Sequence, residues 1–469
     1  MERKLTIAQL AHACGSAAEN CDDSIVISDI VTDSRKIVEG SIFVALRGEK
    51  FDGHNFAAQA IKSGAVVSVV DEQFENEENL PIIRTKDTLK AFGAMAAYYR
   101  SQFQIPSVAI TGSVGKTSTK EMVSSVLRRH YNTLKTDGNF NNEIGLPLTV
   151  LRMENDHEIA VFEMGMSGFG EISALSKIAA PETAILTNIG YSHIEFLKSQ
   201  ENILKAKLEI VDGLMQDGTI ILNGDDPYLM KAAENLPFET LIYGIENESC
   251  DVRAVNIKKS ASGTEFNFLL GGEEYHVSIS VPGIHHVYNA LAAILTGIKY
   301  NIPVSEIIAG IKDFEPVGMR QQVENLKNCV VIKDCYNASP TSMKSGLEVL
   351  HVTAPVDNES EFRRVAVIGD MLELGDYSKE AHEEVGGLTC SYDLGCLIAI
   401  GENAEHVARG AIEKGFNSSE IYVFYDTNTA KAHIQEILRK NDVILLKGSR
   451  GMHLEEIADF IAEIDEKLS

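Results

Sequence analysis

Apolar positions along this chain gather into short continuous runs, each closed by a polar or glycine residue and most followed by a stretch with helical spacing. Runs of this kind are the mark of strands covered on both faces, as in a mostly parallel α/β sheet. The first region holds three: Ile25-Val26-Ile27, Ser41-Ile42-Phe43-Val44-Ala45-Leu46 and Ala65-Val66-Val67-Ser68-Val69-Val70. An acidic stretch over residues 71–79 reads as a solvated loop, and residues 88–103 read as a helix ending before Pro106. Farther on, Val108-Ala109-Ile110 predicts a strand, with a helix from about Thr117, and residues 159–162 and 183–186 predict two more strands. The last region repeats strand and helix four times, with strands at 365–368, 397–400, 421–424 and 443–446 and a final helix over 454–468.

This punctuation predicts three domains: 1–84, then 85–315 with 85–105 as a connector, then 316–469. The last is expected to be Rossmann-like, because Gly369-Asp370, Gly401, Asp426 and Lys447-Gly448 stand just beyond its strands, where open α/β sheets bind ligands. Its first turn has no GxGxxG, so a bound dinucleotide is not indicated.

At 469 residues, 44% hydrophobic and 23% charged, the chain is in the multidomain globular class. Its formal charge is 42 − 68 = −26, which disfavours nucleic acid or an anionic membrane surface as a partner. An acidic protein that handles a polyanion needs local cations. The seven cysteines are scattered with no CxxC pair, so free thiols in a reducing cytoplasm are expected and no zinc site is read. Arg3 and Lys4 precede a short apolar run that Gln9 and His12 interrupt; an amphipathic helix is expected there rather than a signal peptide. No apolar stretch approaches the roughly 20 residues of a bilayer span.

The segment Thr111-Gly112-Ser113-Val114-Gly115-Lys116-Thr117 carries the clearest chemistry. A strand, a glycine turn and Lys-Thr at a helix start aim backbone N–H groups and a helix N-terminus at phosphate oxygens. Lys116 is expected on the terminal phosphates of ATP and the Thr117 hydroxyl on Mg²⁺, with Ser118 completing the turn. Ile110 stands where the general G-x-x-x-x-G-K-[ST] form has its first glycine. Glu163, closing the run 159–162, is placed to hold the metal, although alone it would read as a solvated turn residue. His193, after another apolar run, reads by default as a hydrogen-bonding histidine more often than as a ligand. Lys207, in Lys205-Ala206-Lys207-Leu208-Glu209, reads by default as a surface lysine.

Together these segments resemble the Mur ligases, the ATP-dependent amide-forming enzymes of bacterial peptidoglycan precursor synthesis, from near residue 30 to about 457. The loop matches the family's short TGxxGKT form, which accounts for Ile110. The resemblance implies metal-site roles for Thr117, Glu163, His193 and Lys207, the lysine carbamylated by CO₂ and two Mg²⁺ ions bound. Gly283-Ile284-His285-His286-Val287-Tyr288-Asn289-Ala290-Leu291 is similar to the family's GxHNxxNALAA segment, with His286 in place of the first asparagine. It implies Asn289 near adenine, Arg320 on the nucleotide phosphates and Asp334 near the ribose. Ser339 departs mildly from the usual Asn-Pro end of the Asp334–Pro340 segment.

The segments Thr32-Asp33-Ser34-Arg35, Phe43 to Gly48 and Phe51-Asp52-Gly53-His54 resemble a uridine-nucleotide-binding domain. They imply substrate contacts from Ser34, Arg35, Gly48, Asp52 and His54, with Asn141 added from the central domain. Gly369-Asp370-Met371-Leu372-Glu373-Leu374-Gly375, the following His382 and Lys447-Gly448-Ser449-Arg450-Gly451-Met452 resemble the branch that adds D-alanyl-D-alanine to UDP-N-acetylmuramoyl-tripeptide. The Asp-Asn-Pro-Arg signature of the meso-diaminopimelate- or lysine-adding branch is missing.

The implied fold is α/β in three domains: a small uridine-nucleotide domain, a central P-loop parallel-sheet ATPase domain and a C-terminal Rossmann-like domain. The implied catalytic set is Lys116, Glu163, His193, Lys207 and Arg320, in a cytoplasmic monomer. A folylpolyglutamate-type ligase and a non-enzymatic nucleotide-binding scaffold are the alternatives.

Overall fold

The computed structural model describes residues 1–48, 50–355 and 361–468. By contacts the chain divides into two compact units: Met1–Thr111 with Tyr131–Ile185 and Leu208–Thr219, and Gly112–His130 with Leu186–Lys207 and everything from Ile220 onward.

In the first unit the chain opens with helix α1 (Ile7–Ala13), capped by Thr6 and Gln9 in a reciprocal box. Five strands follow: β1 (Ala18–Glu19), β2 (Ile30–Val31), β3 (Ile42–Val44), β4 (Val67–Asp71) and β5 (Ile82–Thr85). They pair in the order β1-β5-β4-β3-β2, parallel except for β1. Helix α2 (Ala57–Lys62) packs Ala57 and Ala60 onto Val31, Phe43, Val70 and Ile82. Ile61 packs at the margin of the same cluster. The run 25–27 forms no strand; Ile25 and Val26 are exposed and only Val26 bridges, to Thr6. Helix α3 (Thr88–Arg100), capped by Asp87, ends before Pro106 as the spacing requires.

Strand β6 (Ser107–Thr111) leads into the phosphate loop and helix α4 (Lys116–Leu127), which belongs to the second unit. The first unit resumes with β7 (Thr133–Lys135), α5 (Gly145–Val150), β8 (Ile159–Glu163), α6 (Glu171–Ala179) and β9 (Thr183–Leu186). Strands β6 and β7 flank β8, both parallel to it, and all five residues of β8 are buried. Register pairs Ile110 with Glu163, so the carboxylate sits one strand over from the start of the loop.

In the second unit come α7 (Ile194–Leu197), α8 (Gln200–Leu208), β10 (Thr219–Asn223), α9 (Pro227–Ala233) and β11 (Glu239–Gly244). Strands β12 (Val252–Ser260), β13 (Gly263–Leu270) and β14 (Glu273–Ile279) then form an antiparallel meander joined to β11. Helices α10 (Ile284–Lys299) and α11 (Val304–Lys312) follow, the first almost wholly buried beyond its opening turn.

The last part holds β15 (Gln322–Asn325), β16 (Val330–Asp334), α12 (Pro340–Val352), β17 (Arg363–Gly369), α13 (Ser378–Thr389) and β18 (Cys396–Ile400). It ends with α14 (Ala404–Glu413), β19 (Ile421–Phe424), α15 (Thr427–Ile437), β20 (Asp442–Lys447) and α16 (Glu455–Ile464). The sheet order is β15-β16-β20-β17-β18-β19, parallel except for β15. Alternate residues of each strand serve opposite cores. Val331, Val367, Ile398 and Ile444 pack with α15 and α16, whereas Ile332, Ala366, Leu397 and Leu445 pack with α12, α13 and α14. That double burial is why these strands read as unbroken apolar runs. The fold is α/β with three sheets. Among the described residues no helix is long and apolar enough to cross a membrane.

Candidate active site

The phosphate loop owes its shape to two glycines. Gly112 has φ +152°, and a Cβ there would fall 1.9 Å from Thr187 Oγ1. Gly115, at φ +87°, supplies the left-handed turn that starts α4. The segment after β9 braces the loop. Val114 N–H donates to Asn188 Oδ1 at 3.0 Å, and Asn188 Nδ2 and the Thr187 hydroxyl donate back to the Val114 carbonyl at 2.9 and 2.7 Å. Ser113 N–H donates to the Asn188 carbonyl, and Gly190 N–H to Ser113 Oγ. Lys116 Nζ donates to the Gly112 carbonyl at 2.8 Å, Thr117 is buried and Ser118 half-buried in the first turn. Sequence reasoning gave Asn188 no role, because its contribution depends on contacts some 74 residues away in the chain.

Lys207 is not on the surface: it is 1% exposed on α8. Burial, and then the charge of Lys116, push its ammonium well below the ordinary lysine range. Expectation failed here because spacing within one helix cannot reveal what packs over it.

His193 adopts a left-handed backbone, φ +64°, at the start of α7. Its Nδ1 lies 2.6 Å from a carboxylate oxygen of Glu373, which also has positive φ. The histidine beside Glu373 holds that carboxyl below the usual range. Ring Nε2 is thereby left as the atom for a ligand. Asn289 on α10 accepts from Thr119 Oγ1 at 3.0 Å and lies against Gly115, while its buried Nδ2 has no hydrogen-bond partner among the described residues. The guanidinium of Arg320 lies 3.9 Å over the Tyr336 ring. Asp334 and Lys447 form a buried pair at 2.8 Å. The second unit thus carries Lys116, Thr117, His193, Lys207, Asn289, Arg320 and Asp334.

Glu163 and Asn141 belong to the first unit, where Asn141 Nδ2 donates to Glu163 Oε1 at 2.8 Å and Glu163 is 1% exposed. The same unit holds the residues expected to meet a uridine nucleotide. Asp52 accepts from His54 Nδ1 at 2.6 Å and from Arg47 at 2.7 Å; Asp71 N–H donates to His54 Nε2. Asp52 and His54 therefore hold one another and the loop around them. Ser34 opens a short 3-10 turn capped by Asp33, Arg35 pairs back to Asp33, and Gly48 is exposed.

In the C-terminal motif, Asp370 caps α14 by accepting from Glu402 and Asn403 N–H at 2.9 and 3.1 Å. His382 accepts from Met371 N–H with Nε2 and donates from Nδ1 to the Ser378 carbonyl. Both brace the turn that presents Glu373.

Three family models match: "Mur ligase family, catalytic domain" over 26–100, "Mur ligase middle domain" over 110–297 and "Mur ligase, glutamate ligase domain" over 319–450. A UDP-N-acetylmuramoyl-tripeptide--D-alanyl-D-alanine ligase of Bacillus subtilis (strain 168) is 38% identical over 463 residues, spanning 98% of this chain and 99% of that one. The crystal structure of MurF from Acinetobacter baumannii matches with a TM-score of 0.88 at 30% identity, covering 98% and 99% of the two chains. A MurF structure from Thermotoga maritima in complex with ADP matches at 0.82 and 29% identity, covering 94% and 98%. With end-to-end similarity of this kind and the phosphate loop, buried lysine and capped C-terminal motif in place, the chain belongs to the Mur ligase family.

Proposed function

We infer that this protein is the ATP-dependent ligase that joins D-alanyl-D-alanine to the terminal carboxylate of UDP-N-acetylmuramoyl-tripeptide, releasing ADP and phosphate. The observation that carries the reading is the buried Lys207 amine under the field of Lys116 at a braced phosphate loop. A neutral amine is the form that reacts with CO₂, losing a proton as it does so, and the resulting carbamate puts one negative charge, shared by two oxygens, where an ordinary lysine carries a positive one. With the Thr117 hydroxyl and the Glu163 carboxylate this is a hard-oxygen donor set, which suits Mg²⁺. We assign Thr117, Glu163, carbamylated Lys207 and His193 Nε2 to two ions. Bound there, Mg²⁺ would neutralise the charge of the transferring phosphoryl group.

The chain's own groups do the rest. Backbone N–H groups of residues 115–118 at the start of α4 and the Lys116 ammonium hold the phosphates, on a turn that Ser113 and Val114 brace, while Arg320 meets them from the linker. The acceptor carboxylate oxygen attacks the γ-phosphorus; the bond to ADP breaks and an acyl phosphate forms. The free amine of the dipeptide attacks that carbonyl and loses its proton. The tetrahedral intermediate then expels phosphate and leaves the amide. Asn289 is assigned to adenine, Asp334 to the ribose, and Ser34, Arg35, Gly48, Asp52, His54 and Asn141 to the uridine-nucleotide peptide. The reading implies a cytoplasmic monomer organised as 1–84, 85–315 and 316–469.

Purified protein should release phosphate from ATP only when both the tripeptide nucleotide and the dipeptide are supplied. Equal turnover without the dipeptide would sink the ligase reading.

A further inference from the structure

One buried polar cluster lies outside the groups used above. His285 and His286 open α10 with their rings 4.2 Å apart, and both present Nε2 to the same atom, Gln321 Oε1, at 2.6 and 3.1 Å. A carboxamide oxygen has two lone pairs, so it accepts one N–H from each ring. That tautomer leaves both Nδ1 atoms as acceptors, and neither has a hydrogen-bond partner among the described residues. Burial keeps both imidazoles neutral, His285 pushed down to about 4 and His286 well below the ordinary range.

Gln321 itself is strained. It has φ +53°, close after Gly318 at +64° and Met319 at +54°. Non-glycine residues hold that conformation only where surroundings over-determine it. Its main-chain N–H is directed at the Asp334 carboxylate, which is paired with Lys447. One residue thus joins the start of α10, the linker bearing Arg320 and the end of β16. Asn289 lies one helical turn from both histidines, on the same side of α10.

We propose that Gln321 is a positioning residue for ATP, whose side-chain oxygen, shared by His285 and His286, locks the linker carrying Arg320 to the helix carrying Asn289. The proposal rests on the nucleotide roles inferred above. Its specificity follows from the connections: the cluster ties together groups assigned to adenine, ribose and phosphate and touches none assigned to the uridine nucleotide.

The test is isothermal titration of the full chain with a non-hydrolysable ATP analogue and Mg²⁺, and separately with UDP-N-acetylmuramoyl-tripeptide. Gln321→Leu, which strands two buried donors, is expected to weaken the ATP analogue about tenfold and leave the tripeptide nucleotide within about twofold. His286→Asn keeps an N–H donor and is expected to bind ATP analogue as the native protein does, whereas His286→Leu is expected to lose several-fold. An unchanged ATP-analogue affinity in Gln321→Leu, or an equal loss for both ligands, overturns the proposal. If Gln321→Leu does not fold, equal affinities of the two His286 variants overturn it. A native chain that binds no ATP analogue defeats the functional reading instead, before any variant is compared.

Discussion

Lys207 shows most directly how a single side chain changes its chemistry with its surroundings. In the sequence it is one of two lysines at i,i+2 on a helix; in the fold it is 1% exposed and subject to the Lys116 charge. Burial and the neighbouring charge both disfavour its ammonium form relative to that of an exposed lysine. Lys207→Ala is therefore expected to be nearly inactive and to regain part of its activity when a small carboxylic acid such as acetate is added, because the added carboxylate restores anionic oxygens. Steady-state rates with and without acetate decide it; full activity in the unsupplemented variant would refute the carbamate role. The difference between what could and could not be read here is one of range. Lys116 and Thr117 could be proposed from neighbours within seven residues. The surroundings of Lys207, Asn188 and Gln321 come from partners elsewhere in the chain, so spacing alone did not single them out, and Lys207 was named only through the family resemblance.

At the scale of elements, α13 and α14 meet backbone to backbone. A Cβ on Gly386 would lie 1.9 Å from the Val407 carbonyl oxygen, and one on Gly410 would lie 1.9 Å from that of Glu383. Neither contact is the far end of a flexible side chain, so the helices must separate to admit a methyl group. Gly386→Ala is expected to cost about 1–3 kcal/mol through overpacking, despite alanine's better helix propensity. Thermal unfolding should show a lowered midpoint, with affinity for the ATP analogue unchanged once folded; a midpoint equal to or above the native one would contradict the close packing. Elements also differed in how far they could be read. Strands β17, β18 and β20 stood out because both faces are buried and the apolar run is continuous, while β19, mostly half-buried, was legible to the residue from its four apolar side chains alone. The meander β12 to β14 went unread because burial there alternates: Phe266 and Phe268 are buried while Glu265 and Leu269 are exposed. Strand β2 has only two residues and shows no period, and β15, Gln-Val-Glu-Asn, is polar and mostly exposed, so it carries no apolar run. Ile25-Val26-Ile27 misled for the opposite reason, an apolar run with only Ile27 buried.

For the whole molecule the governing quantity is a formal charge of −26, set against two substrates that are themselves polyanions. The cations assigned to them, Lys116 and Arg320 for ATP and Arg35 for the uridine nucleotide, act at contact range, whereas the net field of the protein acts over roughly a Debye length, about 30 Å at 0.01 M salt and about 8 Å at 0.15 M. At low salt an approaching nucleotide therefore meets repulsion before it reaches its binding groups. Raising KCl across that interval at fixed Mg²⁺ should increase kcat/KM for ATP and for UDP-N-acetylmuramoyl-tripeptide, the reverse of the usual electrostatic steering. D-alanyl-D-alanine is a zwitterion and carries no net charge into the same field, so its kcat/KM should stay nearly flat and serves as the internal control. A fall for both nucleotides with a flat dipeptide response would mean that local basic groups dominate at long range. A parallel change for all three substrates would point instead to salt acting on the fold.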